Sequence, residues 1–192
     1  SEINYNSSPE IDADDWIELH NYGTSSLDIS GWKVADDQEN HKYVFPTGTV
    51  LSPGGYLVIP ENAHEFREAY PDVTNLIGEL GYNLSNSGEE IRIYDYKDSL
   101  FMVINYNDQS PWPSEADGLG YTCELLDPFG DINNGNNWYK GCFGGSPGAE
   151  FTTNLMTEIL ITGDSVLCTG STLQLNATDF SEYIYQWKQE QN

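Results

Sequence analysis

Positive charge is what this chain lacks most: against 31 Asp and Glu it carries 7 Lys and Arg, a formal net charge of −24 over 192 residues. Lys33, Lys42, Arg67, Arg92, Lys97, Lys140 and Lys188 are scattered along the sequence. Phosphate backbones are gripped by clustered Lys and Arg, so no nucleic-acid partner is expected. Attraction to an anionic membrane surface is excluded on the same ground. No run approaches the roughly 18 consecutive apolar residues of a membrane helix, so no membrane insertion is expected. Histidine is scarce too. His20, His41 and His64 share no local metal spacing, and neither H-E-x-x-H nor C-x-x-C occurs.

Large side chains, by contrast, are plentiful. Aromatic residues make up 13 % and hydrophobic residues 38 %, enough for a packed core rather than a disordered acidic tail. Gly, Pro, Asn, Asp and Ser clusters recur about every eight to twelve residues between short β-branched and aromatic runs, the pattern of an antiparallel sandwich or barrel. Strands are expected at Trp16 to His20, Gly31 to Ala35, His41 to Phe45, Tyr56 to Ile59, Glu90 to Tyr94, Leu100 to Tyr106 and Tyr121 to Leu126. The alternation in Trp16-Ile17-Glu18-Leu19 and Ile91-Arg92-Ile93-Tyr94 predicts a sheet with one wet face. One helix is expected: Asn62-Ala63-His64-Glu65 has capping-box spacing, Ala63, Phe66 and Tyr70 share a face, and Pro71 stops the run.

Composition changes near Ser146-Pro147-Gly148-Ala149-Glu150. This predicts a domain over residues 1–151, a linker over 152–158 and the start of a second immunoglobulin-like domain over 159–192, where Cys168 precedes Trp187 as on the B and C strands of such domains. Two or three strands bury too little surface to stand alone. The count of three cysteines is odd. Cys123 and Cys142 are expected to pair, closing a loop of about 18 residues for roughly 3 kcal/mol. Such a bond belongs to an exported protein, whereas reduced buried thiols would suit the cytosol.

Few motifs promise catalysis. Gly144-Gly145-Ser146-Pro147-Gly148 matches the nucleophile elbow G-x-S-x-G, but the residue after the serine must give an N–H to the oxyanion, and Pro147 has none. A turn closing the domain is expected instead. Asp14-Asp15, Asp36-Asp37 and Glu89-Glu90 could serve as acid–base pairs, yet among so many carboxylates they read as solvated faces. Asp12 to Asp15 and the loop containing Asp127, Asp131 and Asn133 offer oxygens for calcium. Neither matches an EF-hand, and Asx-turns explain the same residues. Calcium through Asp127, Asp131 and Asn133 is therefore the single cofactor expectation; otherwise none is expected. Trp16, Trp32, Trp112 and Trp138 read as core or rim packing, with Trp112 and Trp138 the candidates for an aromatic sugar-binding platform.

Asp15-Trp16-Ile17-Glu18-Leu19-His20-Asn21, Leu27-Asp28-Ile29-Ser30-Gly31-Trp32-Lys33, Tyr43-Val44-Phe45-Pro46 and Leu51-Ser52-Pro53-Gly54-Gly55-Tyr56-Leu57-Val58-Ile59 follow one another in order. So do Leu84-Ser85-Asn86-Ser87-Gly88 with Ile91, Trp112-Pro113, Asp117-Gly118-Leu119-Gly120 with Glu124-Leu125, Asn137-Trp138 and Gly145-Ser146-Pro147-Gly148. Over about residues 1–151 this series resembles the lamin tail domain in its bacterial, exported form. The resemblance implies an all-β, immunoglobulin-like antiparallel β-sandwich with no catalytic residues, the helix near Asn62 being an insertion. It also implies an extracellular or cell-surface, multidomain setting. There the module is a non-enzymatic interaction or spacer unit contacting other domains of its chain, protein or glycan. Alternatively it is an accessory domain of an extracellular hydrolase such as a nuclease or glycosidase, or a calcium-stiffened repeat. The link of nuclear lamin tails to DNA is not expected here, because the −24 charge repels polyanions.

Overall fold

A computed structural model of the chain describes residues 1–38 and 40–151. The expected linker at 152–158, the second domain at 159–192 and Cys168 lie outside the described residues. Among the described residues eleven strands follow in chain order: β1 (Glu2–Asn4), β2 (Trp16–His20), β3 (Leu27–Asp28), β4 (Lys33–Ala35), β5 (Lys42–Val44), β6 (Val50–Leu51), β7 (Tyr56–Pro60), β8 (Gly88–Tyr94), β9 (Leu100–Asn107), β10 (Cys123–Leu125) and β11 (Trp138–Lys140). Helix α1 (Ala63–Ala69) sits between β7 and β8. The strands form a five-stranded sheet in the order β11-β10-β1-β2-β7, a four-stranded sheet β5-β4-β8-β9 and a short β3-β6 ladder. Paired strands run antiparallel throughout, so the all-β immunoglobulin-like sandwich is the observed fold.

Register decides what each face of the five-stranded sheet carries, because side chains alternate with period two. One rung aligns Cys123, Ile3, Ile17 and Ile59 across four strands. All four are buried, and they pack with Val34, Ile91 and Ile104 of the other sheet in the main core. The neighbouring rung aligns Glu124, Glu2, Glu18 and Val58 on the opposite face. That face is not wet. Trp16 and Val58 are covered by Phe66 of α1, with the Trp16 and Phe66 rings edge to face at 5.8 Å.

The helix forms where the capping signal places it. Asn62 Oδ1 accepts the His64 N–H at 3.0 Å, and Glu79 Oε1 accepts that of Ala63 at 3.2 Å, so two donors of the first turn are satisfied. Its apolar side, Ala63 and Phe66, is buried. Tyr70, just past its end, donates its hydroxyl to the Gly144 carbonyl at 2.7 Å and so ties the helix to the segment after β11.

The expected Cys123–Cys142 disulfide is not formed. Cys123 faces inward from β10 and is fully buried, whereas Cys142 is exposed. The β10–β11 register pairs Cys123 with Lys140, which leaves Cys142 beyond the end of β11. The argument that a disulfide marks an oxidising compartment lapses with it.

Candidate functional site

Three glutamates stand side by side on the outer rung: Glu124 on β10, Glu2 on β1 and Glu18 on β2. All are buried, at 2 %, 0 % and 3 % exposure, although acidic side chains almost never are unless partnered. Their partners come from the Gly144–Gly148 strap. Ser146 N–H donates to Glu2 Oε1 at 3.0 Å, Ser146 Oγ donates to Glu124 Oε1 at 2.6 Å, and Gly148 N–H donates to Glu18 Oε2 at 2.6 Å. Thr122 Oγ1 adds a bond to Glu2 Oε1, and Ser1 Oγ one to Glu18 Oε1 at 2.7 Å. Gly145 must be glycine here: its φ is +73°, and a Cβ would overlap Glu2 Oε1.

Burial holds all three carboxyls above the ordinary glutamate range. In Glu2 the effect is reinforced by the charge of the neighbouring Glu124 carboxylate. Each charge in such a pair disfavours the next, so the two carboxyls titrate as one coupled unit. Asp15 follows the same logic nearby in sequence. Burial raises it to about 8 against the opposing Leu84 N–H, which donates to Asp15 Oδ2 at 2.7 Å.

Raised carboxyls suggest acid–base chemistry, but the geometry directs them elsewhere. The hydrogen bonds of the row come from the protein's own strap and from the Thr122 and Ser1 hydroxyls. Ser146 spends its hydroxyl on Glu124, no histidine hydrogen-bonds it among the described residues, and Pro147 follows it. A nucleophile elbow is therefore absent, and the expected domain-closing turn stands in its place.

Asp36, Asp37 and Glu89 converge in a second acidic group, with oxygens within 4.8 Å of one another. Asp36 is buried; it accepts Gln38 N–H at 2.7 Å, and its Oδ2 lies 2.6 Å from His41 Nδ1. Glu89 accepts Ser85 N–H at 2.7 Å and the Tyr106 hydroxyl at 3.1 Å. These three could hold a hard cation; Asp36-Asp37 and Glu89-Glu90, expected as separate solvated faces, lie far apart in sequence and meet only through the fold.

The expected calcium ligands lie in the β10–β11 loop, where each has another task. Asp127 Oδ1 accepts Phe129 N–H at 2.9 Å and Asp131 Oδ1 accepts Asn133 N–H at 3.0 Å, two Asx-turns. Asn133 caps the free edge of β9: its Oδ1 accepts Asn105 N–H at 2.7 Å and its Nδ2 donates to the Val103 carbonyl at 3.2 Å. This side chain blunts an edge that could otherwise pair with another strand. Trp112 and Trp138 are both buried, their rings stacked at 5.4 Å, and Trp138 Nε1 donates to the Ile132 carbonyl at 2.9 Å. A sugar platform needs exposed ring faces, so these two are core instead.

Comparison with known proteins agrees with this architecture. A search of curated proteins finds no match. The family model described as Lamin Tail Domain, an immunoglobulin-like and generally non-catalytic module, matches residues 1–108, more than half of the chain. The chain belongs to the lamin tail domain family.

Proposed function

We propose that this chain is a non-enzymatic interaction or spacer module of an exported, multidomain bacterial protein, and that its ligand is protein rather than glycan. One observation carries the first half: the glutamates that could do acid–base work, Glu2, Glu18 and Glu124, are buried beneath the Gly144–Gly148 strap and hydrogen-bonded to it and to Thr122 and Ser1. Burial of Trp112 and Trp138 removes the expected sugar platform and favours protein. The exported setting, whether beside immunoglobulin-like repeats or a hydrolase, rests on the bacterial members the sequence resembles.

The test is to immobilise the whole chain and measure binding of secreted proteins and of cell-surface polysaccharides, with nuclease and glycosidase turnover assayed in parallel. Saturable protein binding without turnover is expected. Turnover abolished by Glu2→Gln would overturn the reading. The Asp36–Asp37–Glu89 group supports a second role, calcium stiffening. A ligand at a hundredfold excess over Kd stabilises a native state by about 2.7 kcal/mol. A melting temperature raised by millimolar calcium, unmoved by magnesium and lost in Asp37→Asn, is the expected sign; identical melts in calcium and chelator would remove this role.

A further inference from the structure

The apolar core is incompletely filled. Between the two sheets lies a cavity of about 140 Å³, walled by side chains such as Ile17 from the five-stranded sheet and Met102 and Ile104 from the four-stranded one. Native interiors pack with few voids larger than a water molecule, and apolar cavities of about 150 Å³ stay dry and take up a benzene-sized group. This one reaches the surface. Tyr22, Leu27 and Phe101 line it while remaining 40 %, 37 % and 60 % exposed. Phe129, 86 % exposed, lies with its ring 6.4 Å from that of Tyr22 and extends the apolar rim.

Charge supplies the second constraint. Among the described residues no Lys or Arg lines the cavity, and exposed Asp28, Asp127 and Asp131 lie on the segments that supply its mouth. We propose that this cleft is a docking site for a protein segment that inserts one phenylalanine- or leucine-sized side chain between the sheets and flanks it with Lys or Arg. The volume sets one anchor and no more. The exposed aromatic rim would close around that anchor and exclude water, as the surround of a binding hot spot does, and the acidic mouth would favour a basic partner and speed its approach. This rests on the reading of the chain as a protein-binding module and names the surface and the partner chemistry.

The probes are three blocked pentapeptides, Lys-Lys-Phe-Lys-Lys, Lys-Lys-Ala-Lys-Lys and Glu-Glu-Phe-Glu-Glu, titrated into the methyl-labelled whole chain with toluene as a small-molecule control. The Phe–Lys peptide is expected to shift the Met102 and Ile104 methyl resonances. It should bind at least tenfold more tightly than the other two, weaken in 0.5 M salt and compete with toluene. Phe101→Ser and Phe129→Ser alter exposed residues, and an unchanged melting curve will show that they fold; each should weaken the Phe–Lys peptide several-fold. Equal binding of the Phe and Ala peptides, entry of toluene alone, or self-association of the chain through these methyls would each overturn the proposal. If secreted proteins still bind the immobilised chain while the peptides leave the methyls unmoved, the docking site falls and the module reading stands. If neither binds, both fall.

Discussion

The two faces of the five-stranded sheet solve the problem of burial differently. Along one rung, Cys123, Ile3, Ile17 and Ile59 meet the other sheet through apolar contact alone. One residue along each strand, Glu124, Glu2 and Glu18 are as deeply buried but are held by hydrogen bonds from the strap, Thr122 and Ser1, and burial raises their carboxyls above the ordinary range. The apolar rung draws on the non-directional cost of exposing hydrocarbon to water, so it tolerates voids such as the cleft. The carboxyl rung is directional, since one lost partner leaves a buried polar group unsatisfied. A chain with −24 net charge can thus afford buried acids only where it also keeps them protonated or bonded.

The largest predicted effect comes from removing the aromatic cover. Trp16→Ala on the outer face should destabilise by about 3–5 kcal/mol, and Ile17→Ala on the inner face by about 2–5 kcal/mol. Denaturant melts in which Trp16→Ala costs under about 1 kcal/mol would show that the outer face is not a second core. Next comes Glu2→Ala, which strands the Thr122 hydroxyl and the Ser146 N–H; each orphaned group costs about 1–3 kcal/mol. Glu2→Gln keeps those acceptors and should stay close to the parent, so the two variants separate hydrogen bonding from charge.

pH separates the faces further. A carboxyl whose value is raised by folding keeps a proton that the unfolded chain releases, so its contribution to stability is full at low pH and is lost as pH rises. Glu2, Glu18 and Glu124 are raised above 4.5 and Asp15 to about 8, so the melting temperature should fall steadily from pH 5 to pH 9. Glu2→Gln should flatten that fall. Asp28 and Asp95, held low by hydrogen bonds from Ser30 and from the Ser99 backbone, act oppositely and should turn the profile over on the acid side. A flat profile from pH 5 to 9 would mean that the row is ionised throughout. The smallest effect concerns the thiols: with no bond between Cys123 and Cys142, a reducing agent should change the stability of the described domain by under about 0.5 kcal/mol.

Much of the fold was legible in local pattern. β2 ends where its alternation predicts, β7, β8 and β9 agree within a residue or two, and the Asn62 cap marks α1. Alternation revealed the period but misjudged the environment: Glu18 reads as the wet face, yet the strap and helix cover it. No local signal marks β1, because three residues with polar ends look like a loop until their neighbours in the sheet arrive. The carboxyl row was therefore invisible, its members lying on strands from opposite ends of the described residues and meeting through register alone. The Gly-Ser-Pro-Gly turn was readable as a turn, while its role as donor to three buried acids needed β1 in place. The disulfide expectation failed on the same kind of long-range fact, the inward facing of β10.

Carboxyl carbon NMR of the labelled chain, titrated from pH 3 to pH 10, addresses the central claim directly. Midpoints for Glu2, Glu18 and Glu124 all above 4.5, with Glu2 and Glu124 titrating as a coupled pair, are the predicted result. Three independent midpoints near the ordinary glutamate value would contradict the account, because the strap would then cover ionised carboxylates and the outer face would not be the proton-holding counterpart of the apolar core.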